Sequence, residues 1–562
     1  MRVNLYIRST VTLFFIVATC SGPAIAGSDE IQFSDSFEEV ETVVTCPSQP
    51  STPVTGRCGV EPGDGNLLIR SHIAIPDIIY RNAELLIDAA GNIQCAACDC
   101  SETAGYDSAT VLNCPEVLTT PGLINSHDHL SFQTGPVDTG SERYDHRHDW
   151  RLGIRGHSEF DSSSSSSSEA RTWGEIRQLL GGATSLIGSG SATGLVRNLD
   201  RAADRDGLDG PHIRLSTFPL RDFGGELITS GCDYPDLPSP NLGEIYQAHI
   251  SVGVDLAARN EWLCSSGELD DTDATLPGPS IVHAIAMTAG DIPSLLASRA
   301  TVVWSPRSDI MLYGMTTPAT LLANQGINLV LGTDWVTTGS MNMLRELSCA
   351  AQHNETGLDG YFTDRDLLKM VTSDAAVAAG VGDSVGTLAP GYIADLTLFD
   401  ASVRTNFAAA VEAEQEDVVL VLKAGSPLFG DGPVVDALSD EVGDCELMGA
   451  TVPGDCMNDR RLCVATETGF TYLELKTAAG GLHPIYSCGG PPAGEPSCTP
   501  ARNEGDSIVY TGISTSGDSD GDGVANESDN CPSVFNPARP VDGFQQADDD
   551  LDGIGDVCDD QP

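Results

Sequence analysis

Short apolar segments alternate with amphipathic segments through the middle of this 562-residue chain. The apolar segments are rich in branched residues and have the length of buried strands. They cover residues 184–187, 213–216, 248–250, 280–283, 301–304 and 327–334. Residues 173–180 and 318–325 have helical periodicity instead. Strands that alternate with helices predict a parallel sheet, and eight such units over about 250 residues predict a distorted, TIM-like (β/α)8 barrel. We place this barrel at residues 121–385.

Shorter strand-like segments lie on both sides of the predicted barrel. Between residues 66 and 120 they are broken by turn signals such as Ala90-Gly91-Asn92, and they return after Gly386. We therefore predict an α/β protein with a small composite β-sandwich, built from residues 66–120 and 386–500. The second part ends in a cysteine-rich extension. Residues 27–65 form a polar leader, and residues 501–517 form a Gly/Ser linker.

The first 26 residues have the features of a secretory signal peptide. Arg2 and Arg8 provide the positive start, residues 11–18 the apolar segment, and Ala24-Ile25-Ala26 the cleavage site. No other stretch is long and apolar enough to span a membrane. The sequence therefore predicts export to the periplasm, the cell surface or the medium, after cleavage near Ala26.

The cysteine content fits an exported protein. Cys20 leaves with the signal peptide, so 16 of the 17 cysteines remain, an even number. The cluster Cys95-x-x-Cys98-x-Cys100 has the spacing of a metal knuckle, but disulfides are favoured in an oxidising compartment.

The net charge excludes one class of partner. The chain has 81 acidic residues against 29 lysines and arginines, which gives a formal net charge of −52. Such a surface repels nucleic acid and anionic membranes. A small-molecule substrate is the partner that we expect.

The last 45 residues contain two acidic loops in the same register. Asp518, Asp520, Asp522 and Asp529 form the first, and Asp548, Asp550, Asp552 and Asp559 form the second. Alternate carboxylates with a glycine at the sixth position surround a hard cation with oxygen ligands, so we expect calcium at residues 518–562. These loops and their flanks resemble thrombospondin type 3 repeats. That resemblance implies a Cys531–Cys558 disulfide, calcium-dependent order and a role in stability or in attachment to a surface or matrix.

Candidate metal ligands lie at the ends of predicted strands. In Pro121-Gly-Leu-Ile-Asn-Ser-His127-Asp-His129, two histidines follow a predicted strand at residues 117–124. Because side chains alternate along a strand, His127 and His129 face the same way and Asp128 the other. His249, His283 and Asp334 follow later strands, and the carboxyl ends of barrel strands are where active sites lie.

These segments resemble the amidohydrolase superfamily, in the branch that includes cytosine deaminase-like enzymes and triazine chlorohydrolases. Besides the histidine pair, the resemblance rests on Trp304-Ser-Pro-Arg-Ser-Asp309, Leu331-Gly-Thr-Asp334 and Gly386-Thr-Leu-Ala-Pro-Gly-Tyr-Ile-Ala-Asp395. It implies metal ligation by His127, His129, His249 and Asp334, with His283 beside the substrate.

The resemblance also implies a count of metal ions and a reaction. Many members bridge two ions with a carboxylated lysine, but this chain has no lysine before Lys369, so we predict one divalent transition metal. Zinc is favoured, and iron and manganese are the alternatives. The ion lowers the pKa of bound water to about 7. Asp334 and His283 are then the catalytic residues: Asp334 takes a proton from the water, and His283 polarises the substrate. Hydrolysis of a non-peptide C–N bond is expected.

One position departs from the family pattern. Close members carry a proton-shuttling glutamate three residues after the histidine that corresponds to His249, where this chain has Val252. Asp255, Glu261, His146, His148 or His157 could substitute. Valine at this position argues against the prediction of a deaminase and favours ordinary hydrolysis. A lapsed enzyme retained as an exported, calcium-dependent binding protein is a second hypothesis, since fold does not dictate function.

Two further segments are candidates for contact with the substrate. Residues 144–150, with His146, His148 and Trp150, follow the first predicted barrel strand and can cover the mouth of the site. A surface loop that binds nothing explains them equally well. Arg307 can brace the site through its guanidinium, or it can form a structural salt bridge.

Overall fold

The computed structural model describes residues 42–136, 140–160, 164–188, 194–236, 243–267, 278–439, 445–449, 455–503 and 505–562. The predicted signal peptide and the start of the leader lie outside these residues.

The strands fall into three sheets, and most are short. In chain order they are β1 Thr42–Thr45, β2 Gly59–Glu61, β3 Leu67–Ile75, β4 Ile78–Ile87, β5 Ile93–Ala97, β6 Thr110–Pro121, β7 Leu123–Asn125, β8 Ala183–Leu186, β9 Arg197–Asn198, β10 His212–Ser216, β11 Glu244–Ile250, β12 Ser280–His283, β13 Thr301–Trp304, β14 Asn328–Leu331, β15 Leu396–Asp400, β16 Val418–Lys423, β17 Ser426–Asp431, β18 Cys445–Leu447 and β19 Arg460–Cys463.

The helices lie mainly between the strands of the central region. They are α1 Arg147–Leu152, α2 Ser168–Leu180, α3 Leu256–Ser265, α4 Ile292–Ser298, α5 Pro306–Tyr313, α6 Ala319–Asn324, α7 Met343–Gly357, α8 Asp364–Lys369, α9 Ser373–Ala378, α10 Ala408–Val411, α11 Gly432–Leu438, α12 Ala465–Thr468 and α13 Tyr472–Ala478. Within the described ranges, no helix is both long and apolar enough to cross a membrane.

The central strands are parallel, and the protein is a mixed α/β fold. Strands β10 to β14 form one sheet in chain order, and β7 to β9 form another. Strand β14 lies beside β7, because Ser126 N donates to Leu331 O (3.1 Å) and Asp334 N donates to His127 O (2.9 Å). These eight strands fit a TIM-like barrel.

The barrel strands are buried on both faces, as their apolar sequences predict. Ile281, Val302 and Leu329 pack with helix residues such as Leu295 and Leu347 in one cluster. The next residue of each of these strands faces the other way and packs with Ile124 and Ile213 in a second cluster. These residues are Val282, Val303 and Val330. The two clusters therefore cover opposite sides of the same strands.

The two outer segments of the chain meet in one eleven-stranded sheet. Strand β6 pairs antiparallel with β15, with Pro121 opposite Leu396 and Val117 opposite Asp400. Strands β16, β17, β19 and β18 extend the sheet, so the cysteine-rich extension adds a hairpin to it.

The predicted strand at residues 117–124 is in fact two strands. Strand β6 ends at Pro121 in the eleven-stranded sheet, and β7 starts at Leu123 in the parallel sheet. Gly122 lies between them, where a Cβ atom would come within 2.2 Å of the Thr184 hydroxyl. The apolar run is continuous because both strands are buried, so hydrophobicity alone did not reveal the division.

Eight disulfides pair all sixteen cysteines that follow Cys20. They are Cys46–Cys98, Cys58–Cys114, Cys95–Cys100, Cys232–Cys264, Cys349–Cys498, Cys445–Cys463, Cys456–Cys488 and Cys531–Cys558. The prediction of disulfides rather than a metal knuckle is confirmed, as is the Cys531–Cys558 bridge. This number of disulfides points to an oxidising environment.

The C-terminal segment packs on the barrel through two buried arginines. Arg502 donates to the backbone oxygens of Tyr144 (3.2 Å) and Tyr313 (2.9 Å) and pairs with Asp145 (2.5 Å). Arg539 donates to two backbone oxygens in the turn after β12, those of Ile285 (3.0 Å) and Met287 (3.1 Å). The predicted linker and repeat segment thus brace the loops that leave the barrel strands.

Replacing Arg502 by alanine should lower the free energy of unfolding by about 3 kcal/mol, because it removes a buried ion pair and leaves buried carbonyl oxygens without donors. Urea unfolding followed by circular dichroism measures the change. Arg404→Ala is the matched control: its guanidinium pairs with Glu412 and Asp417 at the surface, and its removal should cost less than about 1 kcal/mol. Equal losses in the two variants would contradict the bracing role.

Candidate active site

Five candidate residues meet at one end of the parallel strands. The Nε2 atoms of His127 and His129, which follow β7, each lie 3.1 Å from Oδ1 of Asp334, which follows β14. His283 ends β12, and its Nε2 lies 4.0 Å from Oδ2 of Asp334. His249 in β11 has its ring centroid 4.7 Å from that of His127 and 5.2 Å from that of His283. The structure therefore brings together all the residues that the sequence singled out for the metal centre.

The histidine pair has the orientation that strand alternation predicts. Asp128, between the two histidines, turns away from the centre and accepts a hydrogen bond from Gln178 Nε2 on α2 (2.8 Å). Its other oxygen accepts from His129 N (2.6 Å). Asp128 therefore anchors the histidine-bearing turn to the adjacent helix.

Several atoms of the cluster could bind a metal ion, and some of them have no hydrogen-bond partner among the described residues. His127, His249, His283 and Asp334 each offer one ligand atom, and these atoms lie within 4.8 Å of one another. Nδ1 of His127 and both ring nitrogens of His249 are buried without a hydrogen-bond partner in the described part of the chain. Buried polar atoms are normally satisfied, so these nitrogens fit a centre that receives a cation.

Burial and mutual contact set the charges of the cluster. Burial lowers the pKa of His127 to about 4 and that of His249 well below its ordinary value. Burial would raise the pKa of Asp334, but hydrogen bonds from His127 and His129 hold it well below its usual range. The centre therefore combines imidazoles with one carboxylate that is held in its anionic form, which is a donor set suited to zinc and related ions.

The backbone at this end of the barrel is strained. His283 has a φ of 75°, Asp334 of 57° and Ser251 of 58°, in the left-handed region that residues other than glycine rarely adopt. Such conformations cluster at functional sites, where the surrounding structure holds them. In this case each one lies just after or at the end of a barrel strand.

Asp309 on α5 orients His283. Its Oδ1 lies 2.8 Å from Nδ1 of His283, and its Oδ2 accepts a hydrogen bond from the Thr316 hydroxyl (2.8 Å). Burial opposes protonation of His283, but this hydrogen bond and the charge of Asp309 raise the pKa of the imidazole above its ordinary value. The contact directs Nδ1 toward Asp309 and leaves Nε2 toward Asp334. Asp309 lies in one of the segments that resemble the family, but its position in the sequence indicates no role for it.

Asp334 receives a second support from α5. The Ser308 hydroxyl donates to its Oδ2 (2.5 Å) and contacts the Thr338 hydroxyl (2.8 Å). Asp334 therefore has one oxygen between two imidazoles and the other held by a hydroxyl.

A cavity of about 390 Å³ opens onto the cluster. Its lining is mainly aromatic and apolar, with four residues of the cluster at one end. The lining residues are His129, Phe132, Arg147, Trp150, Arg151, Thr217, Phe218, His249, Val252, His283, Leu312, Tyr313, Asp334, Trp335 and Thr338. A volume of this size holds a small molecule.

The predicted substrate loop contributes in part to this cavity. Trp150 on α1 is in the lining, whereas His146 and His148 lie behind it, where His146 faces Glu261 (3.3 Å) and His148 faces Asp222 (2.8 Å). Arg147 and Arg151 of the same helix, which the sequence did not single out, do line the cavity.

Arg307 also lies outside the lining. It donates to the Ser340 hydroxyl (2.6 Å) and pairs with Glu495 (3.3 Å). This buried contact joins α5 to the cysteine-rich extension, which favours the structural salt bridge of the two roles suggested for it.

The candidate replacements for the missing glutamate do not reach the cavity lining. Val252 lines the cavity, and Glu261 lies behind it, where it accepts from Ser251 N (3.0 Å) and pairs with Arg147 (2.9 Å). Asp255 pairs with Arg155 (2.7 Å). His157 contacts Glu142 (3.1 Å). Among the cavity-lining residues of the described chain, Asp334 is therefore the single carboxylate.

The acidic loops of the tail also gather carboxylates. Asp518, Asp520 and Asp522 offer oxygens within 4.8 Å of one another, and Asp548, Asp550 and Asp552 do the same. Oδ2 of Asp520 is buried without a hydrogen-bond partner among the described residues. Burial, followed by the charge of Asp522, raises the pKa of Asp520 to about 7.

Comparison with known proteins gives partial matches. Residues 264–428 match the model of the Amidohydrolase family. A 5-methylthioadenosine/S-adenosylhomocysteine deaminase of Teredinibacter turnerae is 33% identical over 135 residues, which cover 24% of this chain and 30% of the deaminase. The corresponding enzyme of Syntrophobacter fumaroxidans is 32% identical over 130 residues, covering 22% of this chain and 30% of that protein. The chain thus spans less than a third of the length of these relatives.

Two solved structures are similar over more of the chain. An adenosine deaminase from Xanthomonas campestris with bound zinc has a TM-score of 0.47 at 16% identity, covering 68% of this chain and 96% of that one. A triazine hydrolase variant has a TM-score of 0.48 at 15% identity, covering 65% and 94%.

Lowering the pH from about 6.5 to 4 should destabilise the metal-free protein, in part through His127. Its pKa is about 4 when folded and about 6.5 when unfolded, so in this range the unfolded chain binds more protons. The contribution of His127 is therefore present above pH 6.5 and is lost as the pH falls, by up to about 3 kcal/mol.

Urea unfolding at several pH values in the presence of chelator measures this dependence. His127→Gln should flatten the curve, whereas the same change at the exposed His212 should leave its shape intact. Parallel curves for the wild type and His127→Gln would refute the interpretation.

Proposed function

We propose that this protein is an exported metal-dependent hydrolase that cleaves non-peptide carbon–nitrogen bonds, as an amidohydrolase does. The observation that carries this proposal is the meeting of four imidazoles and one carboxylate at the ends of four parallel strands, beside a cavity of about 390 Å³. The family match over residues 264–428 and the names of the curated relatives support the same class of reaction.

One divalent transition ion suits the centre. His127, His129, His249 and Asp334 would hold it, and the unpartnered nitrogens of His127 and His249 support this donor set. Imidazole with carboxylate favours zinc, with iron and manganese as alternatives. When bound, such an ion supplies an activated water and polarises the substrate.

Two residues of the protein, Asp334 and His283, would then carry out the proton transfers. Asp334 is buried and anionic, and Ser308 fixes one of its oxygens; the other, which lies between His127 and His129, would accept a proton from water. His283 presents Nε2 to the same space because Asp309 holds its Nδ1. A protonated Nε2 can donate to the oxygen or nitrogen of the bond that is cleaved, as charge develops there. Asp309 is thus a positioning residue.

Ordinary hydrolysis is a better fit to the cavity than deamination. Val252 occupies the position where a shuttle carboxylate is expected, and Glu261 is held behind the lining by Ser251 N and Arg147. Deamination is the second candidate because the curated relatives are deaminases by name. The retained ligand geometry favours an enzyme over a lapsed, purely binding protein.

The tail would bind calcium through its two acidic loops. Asp518, Asp520, Asp522 and Asp529 serve the first loop, and Asp548, Asp550, Asp552 and Asp559 the second; the unpartnered, buried oxygen of Asp520 supports a cation there. The tail would stabilise the protein or attach it to a surface or matrix. The eight disulfides support export.

Metal content and turnover test the hydrolase together. Elemental analysis should find about one transition ion per chain, and His249→Gln should lose it because two unpartnered ring nitrogens disappear from the centre. His353→Gln is the matched control, since His353 is equally buried but lies outside the cluster. A wild-type protein without a transition ion would contradict the proposal.

The same preparations are then assayed with cyclic amides, N-acyl compounds and aminotriazines. We expect release of the carboxylate product from amides, with Asp334→Asn at least about 10³-fold slower because it removes both a ligand and the base. Ammonia release from aminotriazines without amide cleavage would favour the deaminase instead.

Removal of calcium should loosen the tail and leave the barrel folded. After dialysis against EGTA and restoration of zinc, limited proteolysis should cut within residues 518–562, and added calcium should restore protection. Asp520→Asn should be cut even with calcium present, whereas Asp107→Asn, a change at an exposed residue far along the chain, should behave as wild type. Loss of the far-ultraviolet circular dichroism signal of the whole chain in EGTA would contradict the division between the tail and the barrel.

A further inference from the structure

The charge of the cavity lining is opposite to that of the protein as a whole. The chain has a net charge of −52, with 81 acidic and 29 basic residues. The lining nevertheless contains two arginines, Arg147 and Arg151, against the single carboxylate of Asp334. Asp334 is occupied by the imidazoles and Ser308. The remaining wall of the cavity is therefore positive or neutral.

Arg147 is already neutralised by its neighbours. Its Nη2 pairs with Asp222 (2.6 Å) and Glu261 (2.9 Å), and its Nη1 donates to the backbone oxygens of Thr217 (3.0 Å) and His249 (3.2 Å). It is buried and ties α1 to the ends of the barrel strands. Its role is structural, and it offers little net charge to a ligand.

Arg151, one turn further along α1, is different. Its Nη2 donates to the backbone oxygen of Phe223 (2.8 Å), and Nε donates to Nδ1 of His148 (3.3 Å). No acidic side chain of the described residues lies within ion-pair distance of its guanidinium, and its Nη1 makes none of these hydrogen bonds. Partial burial lowers the pKa of Arg151, and Arg147 lowers it further, while the charges of Asp222 and Glu226 act in the opposite direction.

An aromatic surface lies directly against this cation. The guanidinium of Arg151 lies 4.9 Å from the ring centroid of Phe218, which also lines the cavity. Trp150, Tyr313 and Trp335 supply further aromatic lining. Aromatic walls favour flat ligands by stacking, and a guanidinium favours acidic groups through charge-assisted hydrogen bonds.

We propose that Arg151 and Phe218 form an anion-recognition subsite, and that the natural substrate is a flat, ring-bearing molecule with an acidic group away from the bond that is cleaved. This inference rests on the proposed function in that it places the subsite in the hydrolase cavity. The acidic group would pair with the free face of the Arg151 guanidinium, and the ring would lie along the aromatic lining.

Two probes of nearly the same shape test the subsite without turnover. Benzenesulfonate carries a negative charge and is a weak metal ligand, whereas methyl phenyl sulfone is neutral. Trp150 and Trp335 line the cavity, so quenching of tryptophan fluorescence reports binding of either probe. The holoprotein should bind benzenesulfonate about tenfold more tightly than the sulfone, the difference expected for one charge-assisted hydrogen bond.

Variants assign the preference to Arg151. Arg151→Gln should lose the preference and keep its affinity for the sulfone, and Arg151→Lys should retain part of the preference because the charge remains. Arg221→Gln is the matched control: it removes one charge from the neighbouring loop, where Arg221 pairs with Asp236 outside the lining. That variant should bind both probes as the wild type does.

The outcomes separate the subsite from the hydrolase. Equal affinity of the wild type for the two probes overturns the subsite, as does an unchanged preference in Arg151→Gln, which would place the anion at the metal centre. If the preference depends on Arg151 but no amide is cleaved, the anion subsite is supported and the hydrolase proposal fails.

Discussion

One carboxylate oxygen of Asp334 lies 3.1 Å from both His127 and His129, and the organisation of the site depends on this contact. The same residues carry the backbone hydrogen bond that places β14 beside β7, so the pairing that aligns the first and last strands also assembles the ligands. A carboxylate buried this deeply is costly unless it is paired, and His127 and His129 supply its hydrogen bonds. The remaining unsatisfied nitrogens of His127 and His249 make a cation the natural completion of the cluster.

The surrounding protein holds the backbone and side chains of the centre in place. The left-handed conformations of His283 and Asp334 are unfavourable for an isolated chain, and here neighbouring elements hold them. The Thr317 hydroxyl donates to the backbone oxygen of His283, and Ser308 holds the side chain of Asp334. In addition, Arg539 of the tail holds the turn that follows β12. The strain is thus offset by contacts from three separate parts of the chain.

The sequence predicted the barrel strands and the residues that meet at their ends because both leave strong local patterns. Parallel strands buried on two faces are apolar runs, and a polar residue at the end of such a run stands out, as His249, His283 and Asp334 do. Gly122 was missed because the strands on either side of it are equally apolar. The disulfide Cys349–Cys498 spans 149 residues, and no spacing rule reports a pairing over that distance.

Contacts to backbone oxygens also could not be predicted from the sequence. Arg502 and Arg539 donate to carbonyl groups that every residue carries, so their partners have no sequence signature. The role of Asp309 was not predicted for a related reason: Asp309 lies on helix α5, and its partner His283 lies on strand β12, 26 residues away. The histidines of the predicted substrate loop drew attention by their type, whereas Arg147 and Arg151 of the same helix are the residues that reach the cavity.

Val252 determines which proton transfers the cavity can support. Glu261 is held behind the lining, so Asp334 is the single carboxylate among the described residues that line the cavity, and Nδ1 of His283 is engaged by Asp309. Amide hydrolysis needs one group to take a proton from water and one to give a proton to the departing nitrogen, and in the proposed mechanism Asp334 and His283 would fill these two roles. Deamination of a ring requires an additional protonation of a ring nitrogen, for which an apolar valine offers no donor. The apolar side chain of Val252 instead extends the aromatic and aliphatic wall of the cavity, which is the surface on which the proposed flat substrate would lie.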